Sequence, residues 1–190
     1  MTRIIAGAAG GRRLRTPRGE LTRPTSDRVR EALFSALESM LGSLQELRFM
    51  DLYAGSGAVG LEALSRGAAS AVLVEQDRRT AALVRSNAQA VGLHQGARVV
   101  ASPVHRYLSD TVPSPHDVVF LDPPYELSRE AVETDLALLA GRGWLADEAL
   151  VVVERSARDA GLTWPEGFAR GRDRRYGETA LVFGTWTPLG

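Results

Sequence analysis

The chain has 190 residues, 44% of them hydrophobic, which is typical of one folded domain with a substantial core. It contains no cysteine, so disulfide bonds and thiolate metal sites are excluded, and no apolar run approaches the roughly 20 residues that span a membrane. The zero net charge hides an asymmetry, because residues 1–30 hold eight arginines and two acids, a net of +6 that leaves −6 for residues 31–190. We expect a cytoplasmic monomer that contacts no membrane and, since its three histidines are scattered, binds no metal.

Residues 1–24 are predicted to be a basic extension, separate from a single domain over residues 25–190. Ile4, Ile5 and Leu14 lie among glycines, which favours a short hairpin, although a solvated, disordered tail is the alternative. The planar guanidinium of arginine suits bidentate contacts with phosphate, so this head should dock a nucleic acid and be dispensable for the fold. The candidate contacts here are Arg3, Arg12, Arg13, Arg15, Arg23, Arg28 and Arg30.

Helices and strands alternate along the rest of the chain, which indicates a doubly wound α/β fold with a parallel sheet and helices on both faces. The first helix has N-cap candidates at 25–27 and an apolar residue at every fourth position. The predicted elements are helix 28–41, strand 48–53, helix 58–66, strand 71–75, helix 77–91, strand 97–101, short helix 104–109, strand 117–121, helix 128–141 and strand 149–153. Residues 179–186 read as a terminal hairpin with Leu181 and Phe183 on one face.

A glycine turn follows the strand at 48–53 and is typical of a nucleotide-binding loop, since Gly55, Gly57 and Gly60 fit G-x-G-x-x-G. Glu75 ends the next strand, twenty residues after Gly55, where it could accept hydrogen bonds from ribose hydroxyls. Asp51 would repel a pyrophosphate but attract an ammonium group, which favours S-adenosylmethionine over a nicotinamide cofactor. The predicted cofactor contacts here are Asp51, Tyr53, Ala54, Gly55, Ser56, Gly57, Glu75 and Gln76.

The segment Asp122-Pro123-Pro124-Tyr125 follows the buried apolar run 118–121, so it should lie at the carboxyl end of a strand. The prolines hold the backbone extended, which leaves the Asp122 carboxylate and the Pro123 carbonyl as acceptors for the two hydrogens of an exocyclic amino group. Tyr125 could stack on the flat ring that carries this group. The alternative is a plain end of a strand followed by a surface tyrosine.

These motifs resemble those of a known family. The runs D-L-Y-A-G-S-G-A-V-G-L-E-A-L-S-R-G-A at 51–68, V-E-Q-D at 74–77 and D-P-P-Y at 122–125 are similar to motifs I, II and IV of class I amino-group methyltransferases. The head I-I-A-G-A-A-G-G-R-R-L, the segment R-P-T-S-D-R-V-R-E-A-L-F at 23–34 and the tail R-R-Y-G-E-T-A-L-V-F at 174–183 resemble the RsmD family of bacterial 16S ribosomal RNA guanine-N2 methyltransferases.

The resemblance implies a seven-stranded sheet with one antiparallel strand, S-adenosylmethionine as cofactor, and a guanine of the small ribosomal subunit or its assembly intermediate as target. Asp122, Pro123, Pro124 and Tyr125 would then hold the amino group and the base, without a metal. After the third strand, Ser102 stands where many relatives place an acidic or amide side chain against adenine. A second arginine cluster, with Arg174 and Arg175, could complete an RNA-facing surface.

Three other functions stay open on the sequence alone. An adenine-N6 methyltransferase acting on DNA or RNA also uses D-P-P-Y, and those four residues do not separate the two amino groups. A catalytically silent RNA-binding assembly factor would explain the arginines, although an intact acceptor pair argues against it. A dinucleotide-dependent oxidoreductase would explain the glycine turn, but Asp51 and D-P-P-Y argue against it.

Overall fold

The computed structural model describes residues 2–18, 25–159 and 161–188 and has the alternating α/β architecture predicted from the sequence. Its elements are β1 (Thr2–Arg3), β2 (Arg13–Leu14), α1 (Asp27–Leu41), β3 (Arg48–Leu52), α2 (Ala58–Ser65), β4 (Ser70–Glu75), α3 (Arg78–Ala90), β5 (Ala97–Ala101), α4 (Val104–Asp110), β6 (His116–Leu121), α5 (Arg129–Gly141), β7 (Leu145–Ser156), β8 (Phe168–Arg170), β9 (Arg174–Tyr176) and β10 (Thr179–Trp186). Each predicted element from α1 to α5 begins and ends within one residue of the observed one. No helix within the described ranges is long and apolar enough to cross a membrane.

The main sheet has the strand order β5-β4-β3-β6-β7-β10, and β8 and β9 both pair with the outer edge of β10. The first five strands of this order are parallel, whereas β10 runs antiparallel to its neighbours, so the expected parallel sheet with one antiparallel strand is present. The strand count differs from the expected seven, because the described residues supply eight strands. The outermost position is divided between β8 and β9, and an ion pair between Arg170 and Asp173 spans the bend that separates them.

Local signals account for the ends of the helices. The side chains of Ser26, Asp77 and Ser128 each accept a hydrogen bond from a backbone N–H three residues later, which caps α1, α3 and α5. The four residues Val118 to Leu121 of β6 are completely buried, as expected for a central strand covered on both faces. These features place the ends of the parallel strands, and therefore the cavity described below, at one edge of the sheet.

Strand β7 extends past its predicted range of 149–153 at both ends. At the carboxyl end, Glu154 lies opposite Leu181 of β10 and Ser156 lies opposite Thr179. Leu181 and Phe183 of β10 share one buried face, as expected, and β9 and β10 form the terminal hairpin. The antiparallel partner therefore carries β7 beyond its apolar run and holds Glu154 on a rigid strand.

The head packs against the domain and does not extend from it. Strands β1 and β2 pair antiparallel, with Ile4 fully buried and Leu14 nearly so, both in the core on the α1 side of the sheet. Glu62 of α2 accepts hydrogen bonds from the backbone N–H groups of Ile5 and Ala6, at 2.7 and 3.0 Å. The expectation that the first 18 residues are dispensable for the fold is wrong, because their removal would expose apolar core and leave the buried Glu62 without these partners.

Candidate active site

A cavity of about 350 Å³ opens at the carboxyl ends of β3, β4, β6 and β7, the edge at which open α/β sheets bind ligands. Its volume is typical of small-molecule sites. The predicted site residues that line it are Asp51, Tyr53, Ala54, Gly55, Ser56, Glu75, Gln76, Asp122, Pro123, Pro124 and Tyr125. The fold thus brings the glycine turn and the D-P-P-Y segment into one cavity, and Thr2, Thr16 and Pro17 of the head add to its wall.

The three glycines of the turn have different structural roles. A side-chain carbon added at Gly55, where φ is 54°, would meet no atom within 4 Å among the described residues, so the backbone here leaves room for a ligand. A carbon at Gly57 would come within 2.7 Å of Val84, and one at Gly60 within 2.6 Å of Leu73. Gly57 lies outside the cavity lining, and its small size serves the packing of α2 and α3 against the sheet.

Asp51 is buried beneath the glycine turn with only 1% of its surface exposed, and its Oδ2 accepts a hydrogen bond from Gly60 N at 2.9 Å. Burial raises the pKa of Asp51 to about 8, opposed by the Gly60 N–H and reinforced by the charges of Asp122 and Glu75. A carboxyl group kept at this depth, with no cation beside it among the described residues, would be stabilised as a carboxylate by a positively charged ligand in the cavity.

The raised pKa of Asp51 predicts the pH dependence of stability. Between about pH 4 and pH 8 the folded protein holds a proton on Asp51 that the unfolded chain has lost, so the free energy of unfolding should fall as pH rises through this window. Asp51→Asn removes this contribution, and its slope of stability against pH should be shallower by up to about 1.4 kcal/mol per pH unit. Urea denaturation at several pH values measures the slope, with the exposed Asp147→Asn as control. Equal slopes for Asp51→Asn and the control would contradict the assignment.

Glu75 supports the glycine turn as well as lining the cavity. Its side chain accepts hydrogen bonds from Gly55 N at 3.0 Å and Asp77 N at 2.9 Å. A carboxylate offers about four acceptor positions, so these bonds are compatible with further bonds to a ligand. Ser102 does not line the cavity, and its hydroxyl donates to the Pro103 carbonyl at 3.1 Å, so its contact with adenine stays a prediction.

Two connections within this wall were not predicted. Tyr53 has a positive φ of 65°, and its hydroxyl donates to the buried Asp135 of α5, which fixes the start of the turn. Asn87 of α3 donates to the carbonyls of Ser56 and Arg15, at 3.0 and 2.9 Å, and accepts from Arg15 N. Asn87 therefore ties the head to the glycine turn, and a lone amide within a helix gave no sign of this in the sequence.

The D-P-P-Y segment lies directly after β6, where Asp122 N donates to Leu52 O of the neighbouring strand at 3.3 Å. Pro123 is buried, whereas Tyr125 is 68% exposed and stands at the cavity wall. Burial raises the pKa of Asp122 well above its ordinary value, and the charge of Glu154 raises it further. The segment thus combines a buried acceptor with an exposed aromatic ring.

Thr25 and Glu154 also belong to this wall and were missed in the sequence. The Thr25 hydroxyl lies 3.0 Å from Asp122 Oδ2 and 2.9 Å from Glu154 Oε2. Burial raises the pKa of Glu154 to about 7. Glu154 follows the apolar run of β7 as Asp122 follows that of β6, a parallel that could have identified it.

The arginines predicted to contact RNA differ in their surroundings. Arg30 is fully buried, donates to Asp27 at 3.0 Å and pairs with Glu62 at 3.8 Å, so it is corrected to a structural residue. Arg23 lies outside the described residues. The exposed members are Arg3, Arg12, Arg13, Arg15, Arg28, Arg174 and Arg175.

Two strand pairings bear on these exposed arginines. Arg3 and Arg13 lie directly opposite each other in the head, a like-charge pairing that is unfavourable without an anion nearby. Arg174 of β9 pairs with Leu181, which pairs with Glu154, so Arg174 lies at the same end of the sheet as the cavity. The exposed arginines thus include members at the cavity edge.

The described residues fit a cofactor with an ammonium group and a ribose. Asp51 provides a buried carboxyl for the first, Glu75 provides acceptors for the second, and the space at Gly55 admits the connecting atoms. No group of three or more histidine, aspartate or glutamate side chains within these ranges is arranged to hold a metal ion.

Comparison with known proteins reveals similarity along nearly the whole chain. Residues 2–185 match a family model described as Conserved hypothetical protein 95. The chain is 42% identical over 178 residues to ribosomal RNA small subunit methyltransferase D of Escherichia coli strain K12, covering 94% of this chain and 86% of that one. A solved structure of Escherichia coli yhhF superposes with a TM-score of 0.87 at 37% identity, over 98% of both chains. An RNA methyltransferase from Salinibacter ruber, solved in complex with S-adenosyl-L-homocysteine, shares the fold at 18% identity, with a TM-score of 0.67 over 88% of this chain and 96% of that one.

Proposed function

This chain belongs to the RsmD family, and from that membership we propose that it is an S-adenosylmethionine-dependent methyltransferase that modifies the N2 amino group of a guanine in 16S ribosomal RNA. The substrate is the small ribosomal subunit or its assembly intermediate, and the protein acts in the cytoplasm as a monomer. The observation that carries the proposal is the position of Asp122, a buried acceptor that opens into the same cavity as the glycine turn.

The cofactor role follows from the donor set of the cavity. In the proposal, Asp51 pairs with the ammonium group of S-adenosylmethionine, Glu75 and Gln76 contact the ribose, and the backbone from Tyr53 to Ser56 follows the ligand. S-adenosylmethionine, when bound, supplies a methyl group on a positively charged sulfur. Ser102 remains the candidate partner of the adenine amino group.

Catalysis in this proposal depends on orientation and on a proton acceptor. The Asp122 carboxylate and the Pro123 carbonyl accept the two amino hydrogens of guanine, which turns the nitrogen lone pair toward the methyl group. As the nitrogen–carbon bond forms and the carbon–sulfur bond breaks, the nitrogen acquires a positive charge and then loses one proton to Asp122. The raised pKa values of Asp122 and Glu154 suit this pair for holding that proton until water removes it. Tyr125 stacks on the base, which must be turned out of its loop.

Mass spectrometry of ribosomal RNA nucleosides tests the proposal. RNA from cells with and without the protein should differ in N2-methylguanosine, and purified protein should restore the mark on small subunits from the deficient cells. A difference in N6-methyladenosine would instead support the adenine alternative. No difference in any methylated nucleoside, together with no methyl transfer in vitro, would contradict the enzyme assignment.

The exposed arginines predict salt-dependent docking on the small subunit. Arg3→Gln combined with Arg13→Gln should weaken binding and make the slope of log affinity against log salt shallower by about 0.7 to 0.9 for each phosphate that is no longer neutralised. These substitutions preserve the buried Ile4 and Leu14 of the head, unlike a truncation. Filter binding over a salt series measures the slope. Arg142→Gln is the matched control, because Arg142 is exposed near the amino end of β7, away from the cavity. Equal affinity and slope in the double variant and wild type would remove the head from the docking surface.

A further inference from the structure

Two carboxyl groups from neighbouring strands meet in the wall of the cavity. Asp122 follows β6 and Glu154 lies on β7, and both line the cavity. The Thr25 hydroxyl is 3.0 Å from an oxygen of Asp122 and 2.9 Å from an oxygen of Glu154, so these two oxygens lie within about 6 Å of each other. Two hydrogen-bond acceptors are therefore presented side by side to whatever enters the cavity.

This arrangement has more acceptors than donors. Thr25 has one hydroxyl proton and cannot donate to both carboxyl groups at once. Arg155, the residue after Glu154, pairs with Asp159 at 2.6 Å, and within the described ranges no arginine forms an ion pair with Asp122 or Glu154. Two buried acids without a cation are unfavourable unless a ligand supplies donors. Methyl transfer through Asp122 alone gives no reason for the second acid.

Guanine and adenine differ in the atom beside the reactive amino group. In guanine the N2 amino group adjoins N1–H, which is a second donor, whereas in adenine the N6 amino group adjoins N1, which is an acceptor. We propose that Glu154 accepts a hydrogen bond from N1–H of the target guanine while Asp122 accepts one from its N2 amino group, so that Glu154 selects guanine over adenine. The inference rests on the proposed function, because it requires Asp122 to hold the reacting amine.

The proposal assigns Glu154 to specificity. A ring nitrogen with a lone pair in place of N1–H would face the carboxylate oxygen of Glu154 and leave both acceptors unpaired. Loss of one hydrogen bond to a charged group lowers the rate by about 10- to 100-fold, and repulsion between the two acceptors adds to this. The long pairing of β7 with β10 keeps Glu154 from moving aside.

Replacing the target guanine by 2-aminopurine tests the proposal directly, since 2-aminopurine retains the 2-amino group but has an unprotonated N1. The target is first mapped by mass spectrometry of ribosomal RNA fragments. Small-subunit RNA carrying either base at that one position is then joined from synthetic and transcribed pieces and assembled with ribosomal proteins. The measured quantity is kcat/KM for each base, and the ratio of the two values defines the preference for guanine.

Wild type should prefer guanine by about 10- to 100-fold or more. In Glu154→Gln the amide can accept from N1–H or donate to a bare N1, so the preference should fall at least about 10-fold, with slower methylation of guanine and faster methylation of 2-aminopurine. Glu154→Ala should also lose the preference, mainly through slower methylation of guanine. Glu148→Gln is the matched control, because Glu148 is exposed on the same strand, and it should keep the wild-type preference.

The outcomes separate the inference from the proposed function. Failure of wild type to methylate guanine at all would overturn the proposed function. Methylation of guanine by wild type, with the same guanine preference in both Glu154 variants, would overturn the inference alone. Equal losses on both bases in folded, cofactor-binding Glu154 variants would also overturn it, since they would limit Glu154 to supporting Asp122. Thermal denaturation and cofactor titration establish that each variant is folded.

Discussion

Replacing Asp122 by alanine is expected to lower kcat for methyl transfer to the small ribosomal subunit by on the order of 10³-fold, with the affinity for S-adenosylmethionine nearly unchanged. The reason is that Asp122 contacts the reacting amine, and an interaction made mainly in the transition state appears in kcat. Asp122→Asn should be less severe, since it retains an acceptor oxygen but removes the charge. Single-turnover methyl transfer and cofactor calorimetry measure the two quantities separately.

The control for Asp122 is Asp147→Ala, which removes an exposed carboxylate from β7 at the end away from the cavity. It should leave both quantities unchanged. Since Asp122 also borders Thr25 and Glu154, the folded state of Asp122→Ala must be established by thermal denaturation. Near-normal kcat in a folded Asp122→Ala protein would rule out the proposed catalytic role.

Glu62→Ala is expected to lower the free energy of unfolding by about 3–5 kcal/mol. The Glu62 side chain is fully buried, and its two oxygens accept from Ile5 N, Ala6 N and Arg66 Nε at 2.7 to 3.0 Å. Its removal also leaves the buried Arg30 without this carboxylate, at a distance of 3.8 Å. Losses of this size correspond to a fall in Tm on the order of 10 °C for a chain of this length.

Urea denaturation measures the loss, and hydrogen exchange locates it, because the amides of Ile5 and Ala6 should lose protection first. Glu31→Ala, an exposed glutamate of α1, is the control and should change the free energy of unfolding by less than about 0.5 kcal/mol. If Glu62→Ala matches this control, the head is not held by the buried carboxylate.

The elements and the two main motifs could be predicted from the sequence because each depends on a short stretch of chain. The apolar run before Asp122 predicts a buried strand, and the prolines after it end that strand. The glycine turn depends on backbone freedom at Gly55 and on close packing at Gly57 and Gly60. The serine or aspartate caps of α1, α3 and α5 act within three residues. The sequence by itself therefore determined the alternation of elements and the edge of the sheet at which ligands bind.

Only the tertiary structure decided which charged groups meet. Arg30 looked like its exposed neighbours in a basic head, and its burial depends on Glu62, 32 residues further along the chain. Thr25 joins Asp122 and Glu154 across separations of 97 and 129 residues. The extension of β7 that carries Glu154 depends on pairing with β10. Composition and spacing report the charge of a residue and its local conformation, but the burial of that charge and its partners depend on packing between distant segments, which no local pattern encodes.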